Sequence, residues 1–447
     1  MNGKHPFSLR PLAMALALLV PAAQAGAIGL LQAYQAALNN DPTYLGAIQD
    51  NVAGQQARAL GRSALLPNLA ASYSNSKNRS DLTAAAAGGG SSLTHPDYNS
   101  RVADVTLRQP LFDLEAWARY KQGKDQADYS SAQFATREQE MILRVVGAYT
   151  DALFANEQVR LTTAQRDTYM EQKKVNDHLF EKGEGTRTDM LETQSRLDLA
   201  EAEVLEALDN QKNQMATLST LVGTEVTTLD ELAPDFRIAP PPEGGLEELK
   251  KTALSLNPEL QAQQFAIEAA QQEINKDRAG HTPKIEFVTS YTKNKAQTID
   301  TYNEDSTVRS IGVQVSLPLY SGGAVVATTR QAVAGMEKAR TDLQVHTDKV
   351  MLDLRKQYLT MLSSVNRIRA LEKAVASGRL LVVATEQSIK GGVRINLDLL
   401  NARQQVYTSE RDLAQARYNY LISVVKLRAA LGTLGPDDVR DLATYFR

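Results

Sequence analysis

Between residues 311 and 319 the chain alternates strictly. Ile311, Val313, Val315, Leu317 and Leu319 are apolar, and Gly312, Gln314, Ser316 and Pro318 separate them. A period of two puts the apolar set on one face of a β-strand, expected over about 307–319. A partner is expected over about 284–296, where Ile285, Phe287, Thr289 and Tyr291 share one face and Glu286, Ser290 and Thr292 the other. Strands over about 68–78 and 101–111 occupy the equivalent places earlier in the chain, with weaker alternation.

Elsewhere the period is helical. From Asp113 to Glu181 there is no proline and only Gly123 and Gly147 interrupt, so one helix there would be roughly 100 Å long at about 1.5 Å per residue. Met190, Leu197, Val204, Gln211 and Leu218 follow at steps of seven, and Leu399, Val406, Leu413, Tyr420 and Leu427 stand 209 residues further on. One heptad register in both segments predicts supercoiled helix pairs. Each pair turns at a glycine-rich tip, KGEGTRTDMLET near 181–189 and KGGVRINLDLLNA near 389–398. Glycine permits the left-handed turn, and Thr188 or Asn396 is placed to cap the returning helix.

The chain is a tandem duplication. Leu30–Pro42 matches Leu246–Pro258 at an offset of 216, Gln109–Phe112 matches Leu317–Tyr320 at 208, and Gly223 matches Gly432 at 209. The eight residues of difference fall in the first copy, where AAAAGGGSS, Ala84–Ser92, reads as a long flexible loop. The copies are therefore 26–232 and 246–432, each read as helix, strand, strand, helix, helix. A proline-rich linker, 233–245, joins them, and a tail, 433–447, follows.

Residues 1–25 carry Lys4 and Arg10, an apolar run from Leu12 to Val20, and Ala23-Gln24-Ala25, the signature of a secretory signal. The rest of the chain holds no apolar run long enough for a transmembrane helix, and a closed β-barrel is the other way to span a bilayer. Four strands cannot close one, because single-chain bacterial barrels begin at about eight strands. A trimer would supply twelve strands and room for a channel, whereas a dimer's eight would enclose only side chains.

Composition removes other classes. Forty-nine basic against 52 acidic residues, a formal charge of −3, gives no electrostatic case for nucleic acid. Without cysteine there is no disulfide, CxxC site or lipid-bearing cysteine, and the five scattered histidines form no HxxxH pair. GEG at Gly183–Gly185 is not followed by GK[ST], so a turn fits better than a phosphate loop, and no GxSxG motif offers a nucleophile. No cofactor and no enzymatic activity are expected. Phe112 and Tyr320 mark the strand-to-helix junctions, either as an interfacial aromatic girdle or as junction packing.

The duplicated unit, LPLYSGG at Leu317–Gly323 and ARYNYLISVVKLRAALG at Ala416–Gly432 together resemble the TolC family of outer-membrane channel-tunnels along nearly the whole mature chain. Within it, the chain is most similar to the outer-membrane component of type I systems that export an alkaline protease. The resemblance implies a homotrimer with a twelve-stranded transmembrane β-barrel, continued into the periplasm by a long α-helical coiled-coil barrel. It implies a periplasmic adaptor and an inner-membrane ABC transporter as partners, outer-membrane lipid around the barrel and an exported protein as cargo. By position, Asp398 matches a constriction aspartate and Arg394 a latch arginine, with Thr188 and Asp189 as its partners. Asn401 stands where a second aspartate is expected, and Ile389 where a tyrosine would bond Asp189. The alternatives are drug or small-molecule efflux through the same fold, or a poreless periplasmic coiled-coil scaffold. An ordinary i, i+4 pair of Arg394 with Asp398 is the competing reading of the tip.

Overall fold

The computed structural model describes residues 27–85, 89–234, 236–238 and 244–447; the expected signal, 1–25, and part of the linker lie outside them. Helix α1 (Leu30–Asn40) breaks into α2 (Pro42–Ser63) where Asp41 caps the new helix through the Thr43 amide, with Pro42 at the first position. The same break recurs between α5 (Gly245–Leu256) and α6 (Pro258–Arg278), capped by Asn257. Proline loses nothing at the first helical position, where its missing N–H would have had no partner. The single helix expected before each strand pair is thus two.

Strands β1 (Asn68–Arg79), β4 (Asp97–Phe112), β5 (Lys284–Lys295) and β6 (Asp305–Ser316) form one antiparallel sheet in the order β1-β4-β5-β6. Strand β6 stops three residues short of Leu319, before Pro318, which has no N–H to donate. The stretch expected as a flexible loop instead forms a small ribbon, β2 (Leu82–Ala85) paired with β3 (Ser91–Thr94); residues 86–88 between them lie outside the described residues. Short alanine and serine runs carry no apolar alternation, so pattern alone missed it.

The sheet is bare on its apolar face: Ile311, Val313 and Val315 are 77%, 60% and 64% exposed. Phe112 and Tyr320 are exposed beside it rather than packed into a junction. Strands β1 and β6 are the two ends of the sheet's strand order, each paired on one side only.

The long helices are α3 (Leu114–Glu181), α4 (Arg187–Val222), α7 (Ala324–Lys390) and α8 (Asn396–Leu431). Asp113 caps α3 by accepting from the Glu115 and Ala116 amides. Helices α4 and α8 end on Gly223 and Gly432, both at φ +79, the left-handed conformation that a side chain would strain. Midway along, Tyr149, Leu153, Leu218, Tyr420 and Val425 form the main core with helix α9 (Pro436–Ala443) and Phe446. The tail is clipped to the end of the first copy by paired Glu231 and Arg447 backbone bonds of 3.0 and 2.9 Å.

Candidate gate at the helical tips

Both tips close by the same backbone device. Gly183 and Gly392 take φ of +74 and +73, and the Glu184 and Val393 amides return to the Leu179 and Ser388 carbonyls, both at 2.9 Å. Glycine is needed at these two positions because a Cβ would crowd the following carbonyl.

The caps differ from expectation. Thr186, not Thr188, starts α4: its hydroxyl accepts from the Asp189 amide at 3.1 Å and donates to the Asp189 carboxylate at 2.6 Å. Thr188 is exposed two residues further on. At the second tip the cap position is Ile395, whose side chain has no group to accept a hydrogen bond, and Asn396 turns inward to Gln172 and Thr193 instead.

Arg394 lies 3.9 Å from Asp398, with the two side chains 49% and 41% exposed. Among the described residues of one chain, no ion pair joins Arg394 to Asp189. Asn401 accepts from Arg196 Nη2 at 3.0 Å, which ties the second hairpin to the first. Ile389 is half-buried on the last turn of α7.

Sequence reasoning missed a polar seam between α3 and α8 just above the tips. The Gln404 side-chain carbonyl accepts from Gln165 at 2.8 Å and from the Tyr169 hydroxyl at 3.0 Å, and Thr168 and Tyr407 share a bond of 2.7 Å. Closer to the tips, Gln172 donates to both Asn176 and Asn396. Thr193 accepts from Asn176 at 2.6 Å and from Asn396 at 3.2 Å. Arg403 finishes the seam by donating to Gln172 at 3.3 Å and to Glu386 at 2.7 Å. Among the described residues, Tyr169, Leu197, Ala200 and Leu400 form a small apolar plug separate from the main core. Burial pushes the Tyr169 and Tyr407 hydroxyls above their ordinary range, so both stay protonated and able to donate.

Chemically the region holds hydrogen bonds that water can replace, around only a little apolar surface. Such a seam separates at lower cost than a leucine-packed one. No helix among the described residues is long and apolar enough to cross a membrane, and none of their His, Asp or Glu side chains cluster as a metal site.

A sequence profile described as "Outer membrane efflux protein" matches residues 33–224 and 249–433. The alkaline protease secretion protein AprF of Pseudomonas aeruginosa is 42% identical, over 96% of this chain and 89% of its own. The proteases secretion protein PrtF of Dickeya chrysanthemi is 36% identical, over 95% and 92%. The crystal structure of the outer membrane protein VceC from Vibrio cholerae superposes with a TM-score of 0.77 at 15% identity, over 90% of this chain and 96% of its own, a likeness of fold.

Proposed function

This chain belongs to the outer membrane efflux protein family and is a TolC-type outer-membrane channel rather than an enzyme, and we propose that it is the gated exit duct of a protease-secreting type I system. The observation that carries the duct is the sheet. Four strands with a bare apolar face and an unpaired edge on each side require further strands, and three copies joined head to tail close a ring of twelve. The helices continue the path into the periplasm. An inner-membrane ABC transporter supplies the energy, an adaptor joins it to this chain, and the duct itself is passive. The cargo assignment rests on two relatives that are protease secretion proteins.

At the tips, three-fold symmetry gathers three Asp398 carboxylates about the axis. Like charges at close range repel and draw cations. Arg394, beside Asp398 within each chain, offsets part of that charge. A latch from Arg394 to Thr188 and Asp189 then joins neighbouring chains. Asn401 adds no charge at the next turn, and Ile389 supplies no hydroxyl, so this gate has one acidic level and relies on the Asn176, Thr193 and Asn396 seam within each protomer.

Small-molecule efflux is the second reading, favoured by the profile's own description. The two separate in a strain lacking its own channel, given this chain with a protease-exporting transporter and adaptor. Protease in the medium is the expected result. Restored drug tolerance with protease retained in the cells would assign the efflux role instead.

A further inference from the structure

The apolar face of the barrel sheet ends in a band of positive charge. Residues paired across the ladders point to the same side of the sheet. Tyr73, Ala103, Lys293 and Thr307 make one row, Asn75, Arg101, Lys295 and Asp305 the next, and Ala71, Val105, Tyr291 and Arg309 the one below. These are the odd-numbered positions of all four strands, the side that carries Ile311, Val313 and Val315. From the helical end up to the row of Leu69, Leu107, Thr289 and Ile311 that side has no charged residue. Beyond it stand Lys77, Arg79, Arg101, Lys293, Lys295 and Arg309 against only Asp97 and Asp305.

The opposite side is balanced, with Lys284 and Arg108 against Glu286 and Asp104, and Arg108 reaches Glu286 at 3.8 Å. Sign and position therefore segregate together on the apolar side alone. The two acids do not neutralise the band: Asp97 serves Lys77 and Arg79 at 3.7 and 3.5 Å, and Asp305 lies 3.5 Å from Lys295. Arg101 and Lys293 have no acidic partner among the described residues. Arg309 lies over the Tyr291 ring at 5.7 Å, which fixes a guanidinium at the edge of the apolar surface.

We infer that this band is a docking surface for the phosphate groups of outer-leaflet lipid, specifically phosphorylated glycolipid of the lipid A type. The inference rests on the barrel reading above. From Val315 to Arg309 the strand rises roughly 20 Å, close to the about 25 Å apolar belt of outer-membrane barrels. Chains α2 to β1 and β4 to α3 enter and leave at the helical end, so the charged end is the one away from the periplasm. Basic side chains just beyond an apolar belt extend toward the headgroup layer, and a phosphomonoester accepts charge-assisted bonds from both Arg and Lys. Solvation alone would be served by either sign.

The test is native mass spectrometry of the purified full chain in detergent, with bis-phosphorylated lipid A or the same lipid dephosphorylated. The expected result is retention of the phosphorylated lipid about tenfold above the dephosphorylated one, the scale of one charge-assisted bond. That preference is expected to vanish in Lys293→Gln/Arg309→Gln and to persist in Arg108→Gln on the other face. Equal retention of both lipids by the wild type, or an unchanged preference in the double variant, would overturn the inference. Pore formation recorded on the same preparations keeps the outcomes apart: pores without lipid preference refute the band and leave the duct standing, and a preparation with neither refutes both.

Discussion

Asn396 of the second hairpin donates to Thr193 of the first at 3.2 Å, and the receiving hydroxyl is fully buried. The same oxygen takes Asn176 at 2.6 Å and donates to the Asp189 carbonyl at 2.8 Å, so all its capacity is used. One side chain thus fastens α3, α4 and α8 at the level of the proposed gate.

Thr193→Val keeps the shape and removes the hydroxyl. Asn176, 5% exposed, then keeps a buried amide without its main acceptor, a loss of about 1–3 kcal/mol. Thermal unfolding of the purified protein should fall accordingly, and single-channel open probability should rise. A lower melting temperature with unchanged gating would make the seam purely structural.

Arg394→Ala removes a half-exposed pair at 3.9 Å, which contributes only ~0.3 kcal/mol to a helix. Melting should therefore stay put while conductance or open probability increases. An unaltered channel would reject the latch.

Asp398→Asn leaves the helix intact and takes three charges from the constriction of a trimer. Reversal potentials in a salt gradient should shift toward weaker cation selectivity. Unchanged potentials would move the selective level elsewhere.

Gly432 sits at φ +79, and a Cβ there would meet the Leu256 carbonyl and Asn257 Cα at 2.5 Å. Gly432→Ala should cost on the order of 2 kcal/mol or more, from strain and from displacing the α5–α6 break. The readout is the yield and melting temperature of the folded protein.

Asp125 is buried on α3, and burial, then Glu268 on α6, raises its pKa from the ordinary value of 3.8; Asp128 adds to this, while Lys124 and Lys121 oppose it. The folded state holds this proton longer than the unfolded one, so stability falls as pH rises from about 3.8 through the raised folded value. Asp125→Asn should melt higher than wild type at pH 7 and lose that advantage near pH 3. An equal gain at both values would point to packing.

The long helices, β5, β6 and the twin glycine stops were legible because each rests on a short-range period or a backbone need. Strand β1 was fainter: its inward positions Ser72, Ser74 and Ser76 face a polar side, and Leu69 and Tyr73 are its two large apolar residues among small and polar ones. Thr186 was overlooked because Thr188 is nearer the helix pattern, although a hydroxyl three residues before Asp189 is the better cap geometry. The seam was illegible for another reason. Gln404, Asn396 and Tyr407 look like solvated helix positions, and their partners lie more than two hundred residues away, at Gln165, Thr193 and Thr168. Which chains the proposed Arg394 latch would join depends on symmetry, which no single sequence encodes.

Three copies of this chain should form one pore, and recordings from planar bilayers that contain the purified mature protein decide whether they do. Discrete, stable, cation-selective openings are expected; bilayers that stay sealed, with the protein weighing as a monomer in the same detergent, would refute the duct.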